Sequence, residues 1–215
     1  MECRSKVDVV LVIDGSGSVT KQGFDQSMNM TSRLLANMAG ADVEVGVLVF
    51  GGPKTEEALD ECSGHLTTTP DWWTDCGMRW VTHLTRNVRR AMTSTLQWPY
   101  RYGYPGSTSL ISMALADAKT ELEGGRTDAS SVVVIVTDAQ PMSPRMTAKA
   151  AEDLKTSARL IWVPIGPTDP GTDEVVKTWA SKPWQDNIVK VGDINLLPTP
   201  DTVNAITASV CPEAM

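Results

Sequence analysis

The stretch Val7-Asp8-Val9-Val10-Leu11-Val12-Ile13-Asp14-Gly15-Ser16-Gly17-Ser18 decides the fold. An apolar, β-branched run that closes on Asp, Gly and Ser has the pattern of a strand buried on both faces, delivering a polar loop at its carboxyl end. In open parallel α/β sheets that edge is where ligands bind. Asp14, Ser16 and Ser18 alternate with glycines, so their oxygens can converge while the glycines take the tight backbone. A carboxylate beside two hydroxyls suits a hard cation such as Mg²⁺.

Two further segments repeat the arrangement. Gly106-Ser107-Thr108-Ser109 precedes a helical pattern, and the apolar run Val132 to Val136 leads through Thr137 into Asp138. Together they offer oxygen ligands on three loops at strand-to-helix junctions. On these residues the chain resembles the von Willebrand factor A domain family, the integrin I-domain fold, and the resemblance extends over nearly the whole chain. It implies a metal-ion-dependent adhesion site in which Asp14, Ser16 and Ser18 fill the Asp-x-Ser-x-Ser positions, Thr108 the second-loop threonine and Asp138 the third-loop aspartate. It further implies Mg²⁺ (or Mn²⁺) as the ion and a protein ligand that offers an acidic side chain to it. Ala139 departs from the glycine common in the family after that aspartate. The stretch Pro99 to Ser109 and the flanking cysteines resemble the adhesive A domains of apicomplexan surface proteins and of von Willebrand factor somewhat more than intracellular members of the family.

Apolar runs also begin at Val43 and Leu160, and helical patterns lie between the runs. Alternation of this kind predicts a doubly wound α/β domain over 1–215: a mostly parallel sheet of about six strands, helices on both faces, and one antiparallel edge strand near Met78 to Leu84. The last strand is expected at Asn187 to Val191. A polar insertion at about 51–78 interrupts the pattern. It carries Trp72 and Trp73, which read equally as a recognition surface or as packing for a disulfide. Trp98 to Pro105 reads as an aromatic loop, placing Tyr102 and Tyr104 beside the second-loop threonine as candidate ligand contacts.

Composition narrows the function. The chain has 215 residues, 41% of them hydrophobic, and a formal net charge of −7, with no run of Lys or Arg to follow a phosphate backbone; nucleic acid is therefore not expected as a partner. No apolar run is long enough to span a membrane. Of the four cysteines, Cys62 and Cys76 share the insertion while Cys3 and Cys211 bracket the domain. Because chain ends often lie close together, the expected bridges are Cys3–Cys211 and Cys62–Cys76, which require an oxidising compartment. That places the protein outside the cytoplasm: secreted, at a cell surface, or in an organelle lumen.

Enzymatic readings fare worse. Gly15-Ser16-Gly17 follows a strand, but the third glycine of a dinucleotide fingerprint falls on Thr20, and Asp14 would set a carboxylate against the phosphates. Serine hydrolysis lacks a base, since the histidines, His65 and His83, lie in the insertion and the edge strand. No His or Cys pair has zinc-ligand spacing. The two functions left are divalent-cation-dependent adhesion and a constitutive scaffold subunit whose metal site is structural or permanently filled.

Overall fold

The computed structural model describes residues 6–62 and 69–211. Five strands form one sheet: β1 (Val7–Asp14), β2 (Val43–Phe50), β3 (Met78–Thr85), β4 (Ser130–Thr137) and β5 (Arg159–Pro164), in the order β3-β2-β1-β4-β5. β1 lies at the centre, parallel to both neighbours, with Val9 opposite Val45 on one side and Val132 on the other. Only β3 runs antiparallel, at the edge, and two register shifts interrupt its pairing with β2.

The reason the apolar runs are continuous is visible in the two cores. Along β1 the side chains alternate, sending Val9, Leu11 and Ile13 to one face and Val10 and Val12 to the other. On the first face they meet Phe24, Met28 and Leu35 of α1 (Thr20–Met38), Ala91 and Trp98 of α3 (Val88–Arg101), and Val203 and Ile206 of α7 (Pro200–Val210). On the second they meet Ile111, Leu115 and Ala118 of α4 (Ile111–Glu123), Leu154 of α5 (Pro144–Leu154) and Trp179 of α6 (Pro170–Trp179). The methionines of α1 are core, as their spacing predicts.

Helices α5, α6 and α7 open alike, on Ser143-Pro144, Asp169-Pro170 and Thr199-Pro200. In each the capping oxygen accepts an otherwise unpaired backbone N–H, and proline occupies the position where no N–H is required. Asp169, for example, accepts from Gly171 and Thr172 at 2.8 and 3.1 Å.

Two expectations are corrected. The helix expected to stop near Leu96 continues to Arg101, so Trp98, Pro99 and Tyr100 form its final turn rather than a loop. Trp98 is almost fully buried and holds that turn against the core. The sixth strand is reduced to two isolated pairings, Trp162 with Ile188 and Ile165 with Val191. Both pairings share one register, and the position between them is Pro164, which has no N–H to continue the ladder.

Within the insertion lies a short helix, α2 (Glu56–Cys62), and Cys62 is bonded to Cys76 as expected, with a Cα–Cα distance of 5.6 Å. The Cys3–Cys211 expectation falls on Cys3, outside the described residues. Among the described residues no helix is long and apolar enough to cross a membrane.

At the amino end of the sheet a buried ion pair joins three segments. Arg126 Nε donates to Asp8 Oδ1 at 2.7 Å and Nη2 donates to the Val7 carbonyl at 2.9 Å, while Nη1 reaches Asp42 at 2.5 Å. Asp8 has no exposed surface. Removing the cation strands that carboxylate, so Arg126→Ala is expected to cost roughly 3–5 kcal/mol in urea unfolding. Breaking the fourteen-residue disulfide loop by Cys62→Ser with Cys76→Ser is expected to cost about 3 kcal/mol in the same assay.

Candidate metal centre

β1 ends on Asp14, which is fully buried at the top of the sheet. Each of its oxygens is held. Oδ1 accepts the Ser16 N–H at 2.8 Å; Oδ2 accepts the Thr137 hydroxyl at 2.6 Å and the Ser109 hydroxyl at 3.3 Å. The carboxylate therefore sits at the junction of all three loops, since Thr137 precedes Asp138 and Ser109 follows Thr108.

Backbone bonds stitch the loops together. Gly106 N donates to the Gly15 carbonyl at 2.8 Å, Gly17 N to Ser107 at 2.6 Å, Leu110 N to Gly51 at 3.1 Å and Met142 N to Ser109 at 3.0 Å. The first and second loops approach so closely that a Cβ on Gly15 would lie 2.7 Å from the Pro105 ring. The expected placement of the Pro105–Ser109 turn beside Asp14 is thus observed.

The remaining candidates divide. Ser16 and Ser18 hydroxyls lie 3.1 Å apart, with Ser16 buried and Ser18 exposed. Asp138 is half-buried, accepts the Gln140 N–H at 3.2 Å, and shares with Ser18 the wall of a cleft of about 610 Å³. Thr108 is exposed, and its hydroxyl donates to the Pro53 carbonyl at 3.2 Å. Ala139 adopts φ +60°, the left-handed region, which accounts for glycine being the natural occupant there.

Among the aromatic candidates, Tyr104 belongs to the centre: its hydroxyl donates to the Ser16 carbonyl, and its ring packs 5.7 Å from Phe24. Partial burial, then the charges of Asp14 and Asp138, push its ionisation up. Trp73 and Tyr102 are occupied elsewhere. They pack with Trp98 at 5.6 and 4.6 Å, and the Arg79 guanidinium sits 3.9 Å over Tyr102. Trp72 stands apart, about half exposed.

The sequence assigned no role to Thr137 or Ser109; the parallel register that pairs Ile13 with Val136 sets Thr137, the next residue of β4, beside Asp14.

The donor set fits a hard divalent cation. Among the described residues no three His, Cys, Asp or Glu side chains converge, so an ion here relies on hydroxyl oxygens supplemented by two carboxylates, a set that suits Mg²⁺ or Mn²⁺ better than softer metals. Burial, only partly offset by the hydrogen bonds from Thr137 and Ser16, pushes Asp14 up to about 6 from 3.8. A bound cation would favour the ionised form that burial disfavours.

An open sheet with β1 at its centre and oxygen-bearing loops at its carboxyl edge has the fold of the A-type domains. The family model for the von Willebrand factor type A domain matches residues 8–66, and the resemblance read from the sequence is borne out. Among curated proteins, the collagen alpha-1(XII) chain of Notophthalmus viridescens is 25% identical over 213 residues, covering 98% of this chain but 20% of its own length; the chain thus spans about one-fifth of that relative. Among solved structures, manganese-loaded TRAP protein of Plasmodium vivax superposes with a TM-score of 0.69 at 18% identity, covering 97% of this chain and 75% of that one. Proximal thread matrix protein 1 of the mussel byssus, with a zinc-occupied MIDAS motif, does so with a TM-score of 0.71 at 15% identity, covering 98% and 49%. The pilus adhesin SpaC of Lactobacillus rhamnosus GG gives 0.70 at 13% identity, covering 98% and 31%.

Two measurements probe the centre. Because the folded pKa of Asp14 lies above its unfolded value, its contribution to stability is fully present below about pH 4 and is lost as pH rises through about 6. In metal-free protein this amounts to about 3 kcal/mol; Asp14→Asn is expected to remove that component from the pH profile of urea unfolding. Gly52 meets Thr108 so closely that a Cβ would lie 2.2 Å from its Oγ1 and 2.8 Å from its carbonyl oxygen. Gly52→Ala is therefore expected to displace the Thr108 loop and weaken divalent-ion binding about tenfold or more in calorimetry, a loss of at least 1.4 kcal/mol by the standard conversion.

Proposed function

We propose that the chain is a divalent-cation-dependent adhesion module that binds a protein ligand through this centre. The observation that carries the reading is Asp14: a fully buried carboxylate at the meeting point of three loops, beside a pair of serine hydroxyls. In this reading Ser16, Ser18 and Thr108 supply hydroxyl oxygens to Mg²⁺ or Mn²⁺, and Asp14 and Asp138 hold it directly or through water. Thr108 must give up its hydrogen bond to Pro53 to take part. A set rich in neutral hydroxyls leaves the ion short of negative charge, so when bound it attracts an acidic side chain from a partner. The residues of this chain do the rest: Thr137 and Ser109 orient Asp14, and Tyr104 anchors the Ser16 carbonyl.

The resemblance to manganese-loaded TRAP protein and to a pilus adhesin supports the adhesive reading, and the disulfide supports an oxidising, extracytoplasmic setting, either secreted or at a cell surface. A scaffold role has its own support, because two of the similar proteins are by name a collagen and a thread matrix protein. The two separate on reversibility. Protein immobilised in Mg²⁺ should retain acidic-ligand partners that EDTA releases, and Ser18→Ala, which removes an exposed hydroxyl, should abolish retention while changing the melting temperature little. Retention that survives both treatments overturns adhesion through the ion and favours a constitutive scaffold.

A further inference from the structure

A groove of about 1,020 Å³ lies away from the metal centre, between β3 and α4, with the turn at 71–74 at one end. None of Asp14, Ser16, Ser18, Thr108 or Asp138 lines it. We propose that this groove is a second ligand site and that it binds a neutral oligosaccharide.

Its walls are built for recognition. The Trp80 indole is fixed in orientation: its N–H donates to Asp117 at 3.1 Å, and its ring stacks on His83 with centroids 5.0 Å apart. His83 is in turn held by Glu121 at 2.9 Å. Trp72, about half exposed on the facing turn, supplies a second aromatic surface. That turn is itself rigid, because Asp71 accepts the N–H groups of Trp73 and Thr74 at 3.0 and 2.7 Å and the Met78 N–H returns to the Trp72 carbonyl at 2.7 Å. The groove is thus preorganised on both sides, which reduces the ordering cost of binding.

The ligand class follows from the chemistry of the rim. Asp71 and Asp117 stand with Arg79 and His83, so charges of both signs line the same space. A basic peptide meets Arg79, and an acidic one meets two carboxylates. Asp117 is half-buried, and burial raises its pKa, so an uncharged donor suits it better than a hydrated ion. The hydroxyls of Thr74 and Thr120 donate to Asp75 and to the Ala116 carbonyl, which leaves their oxygen lone pairs to accept from a ligand. A ligand satisfying all of these is electrically neutral, dense in hydroxyls that both give and take hydrogen bonds, and faced with C–H groups that lie against indole rings. Oligosaccharides have this description, and a concave, partly aromatic site with a few convergent polar groups is where such a ligand is sought.

The test is a glycan array of neutral and sulfated or carboxylated oligosaccharides, probed with the whole chain in EDTA, followed by titration of the best neutral hit against tryptophan fluorescence. Expected is retention of at least one neutral glycan, independent of divalent ions, with affinity reduced about tenfold or more by Trp72→Ala and by Asp117→Asn. Trp72 is exposed, so its variant should keep the wild-type melting temperature, and Asp14→Ala should bind the glycan normally. No neutral glycan retained, retention of acidic glycans alone, or affinity unchanged in both groove variants overturns the proposal. Capture of an oligolysine peptide that competes with the glycan hit and is lost in the same variants assigns the groove to cations instead, and also overturns it. Loss of EDTA-resistant binding in Asp14→Ala would tie the signal to the metal centre and count against a second site. Failure here leaves the metal-dependent reading untouched, since the two are read under opposite metal conditions.

Discussion

Everything at the top of the sheet depends on a single buried carboxylate. Asp14 has no exposed surface, yet it accepts hydrogen bonds from Ser16, Thr137 and Ser109, donors that belong to three separate loops. A buried carboxylate with unsatisfied oxygens would be costly, so the loops are obliged to meet around it. The same burial pushes Asp14 up to about 6, which makes the cluster only partly self-sufficient.

That obligation explains why the loops are short of side chains and rich in backbone bonds. Gly15 and Gly52 let Pro105 and Thr108 approach to distances no Cβ would allow, and the N–H groups of Gly17, Gly106 and Leu110 cross from one loop to another. The insertion is drawn into the same network where Gly51 N donates to the Gly77 carbonyl at 2.8 Å. Its disulfide and its tryptophan cluster therefore bear on the rim of the centre as well as on the edge strand. At the opposite end of the sheet, Arg126 and Asp8 perform a comparable task with opposite charges, closing the bottom of β1 against the loop before β4.

The aromatic residues show how one composition can serve different ends. Sequence places Trp72, Trp73, Tyr102 and Tyr104 in polar surroundings, where all four could meet a ligand. The structure divides them among three neighbourhoods. Tyr104 supports the first loop; Trp73 and Tyr102 are consumed by packing with Trp98 beneath Arg79; Trp72 remains accessible at the mouth of the groove. Extension of α3 through Pro99 brought this about, because it carried Trp98 into the core and drew its partners inward.

The order of elements and the three oxygen-bearing loops were legible in the sequence because they rest on local signals: continuous β-branched runs, and Asp or Ser at strand ends. The same signals nominated the five candidate metal residues. What the sequence left open needed partners distant in the chain. Thr137 and Ser109 orient Asp14 only because parallel register sets β4 beside β1 and because the second loop folds over both. Whether Thr108 faces the ion or Pro53, which tryptophans pack and which stay open, and how Pro164 truncates the sixth strand are decided by contacts between residues tens of positions apart. Local propensity fixes where strands and loops occur; only tertiary packing decides which of their polar atoms find one another.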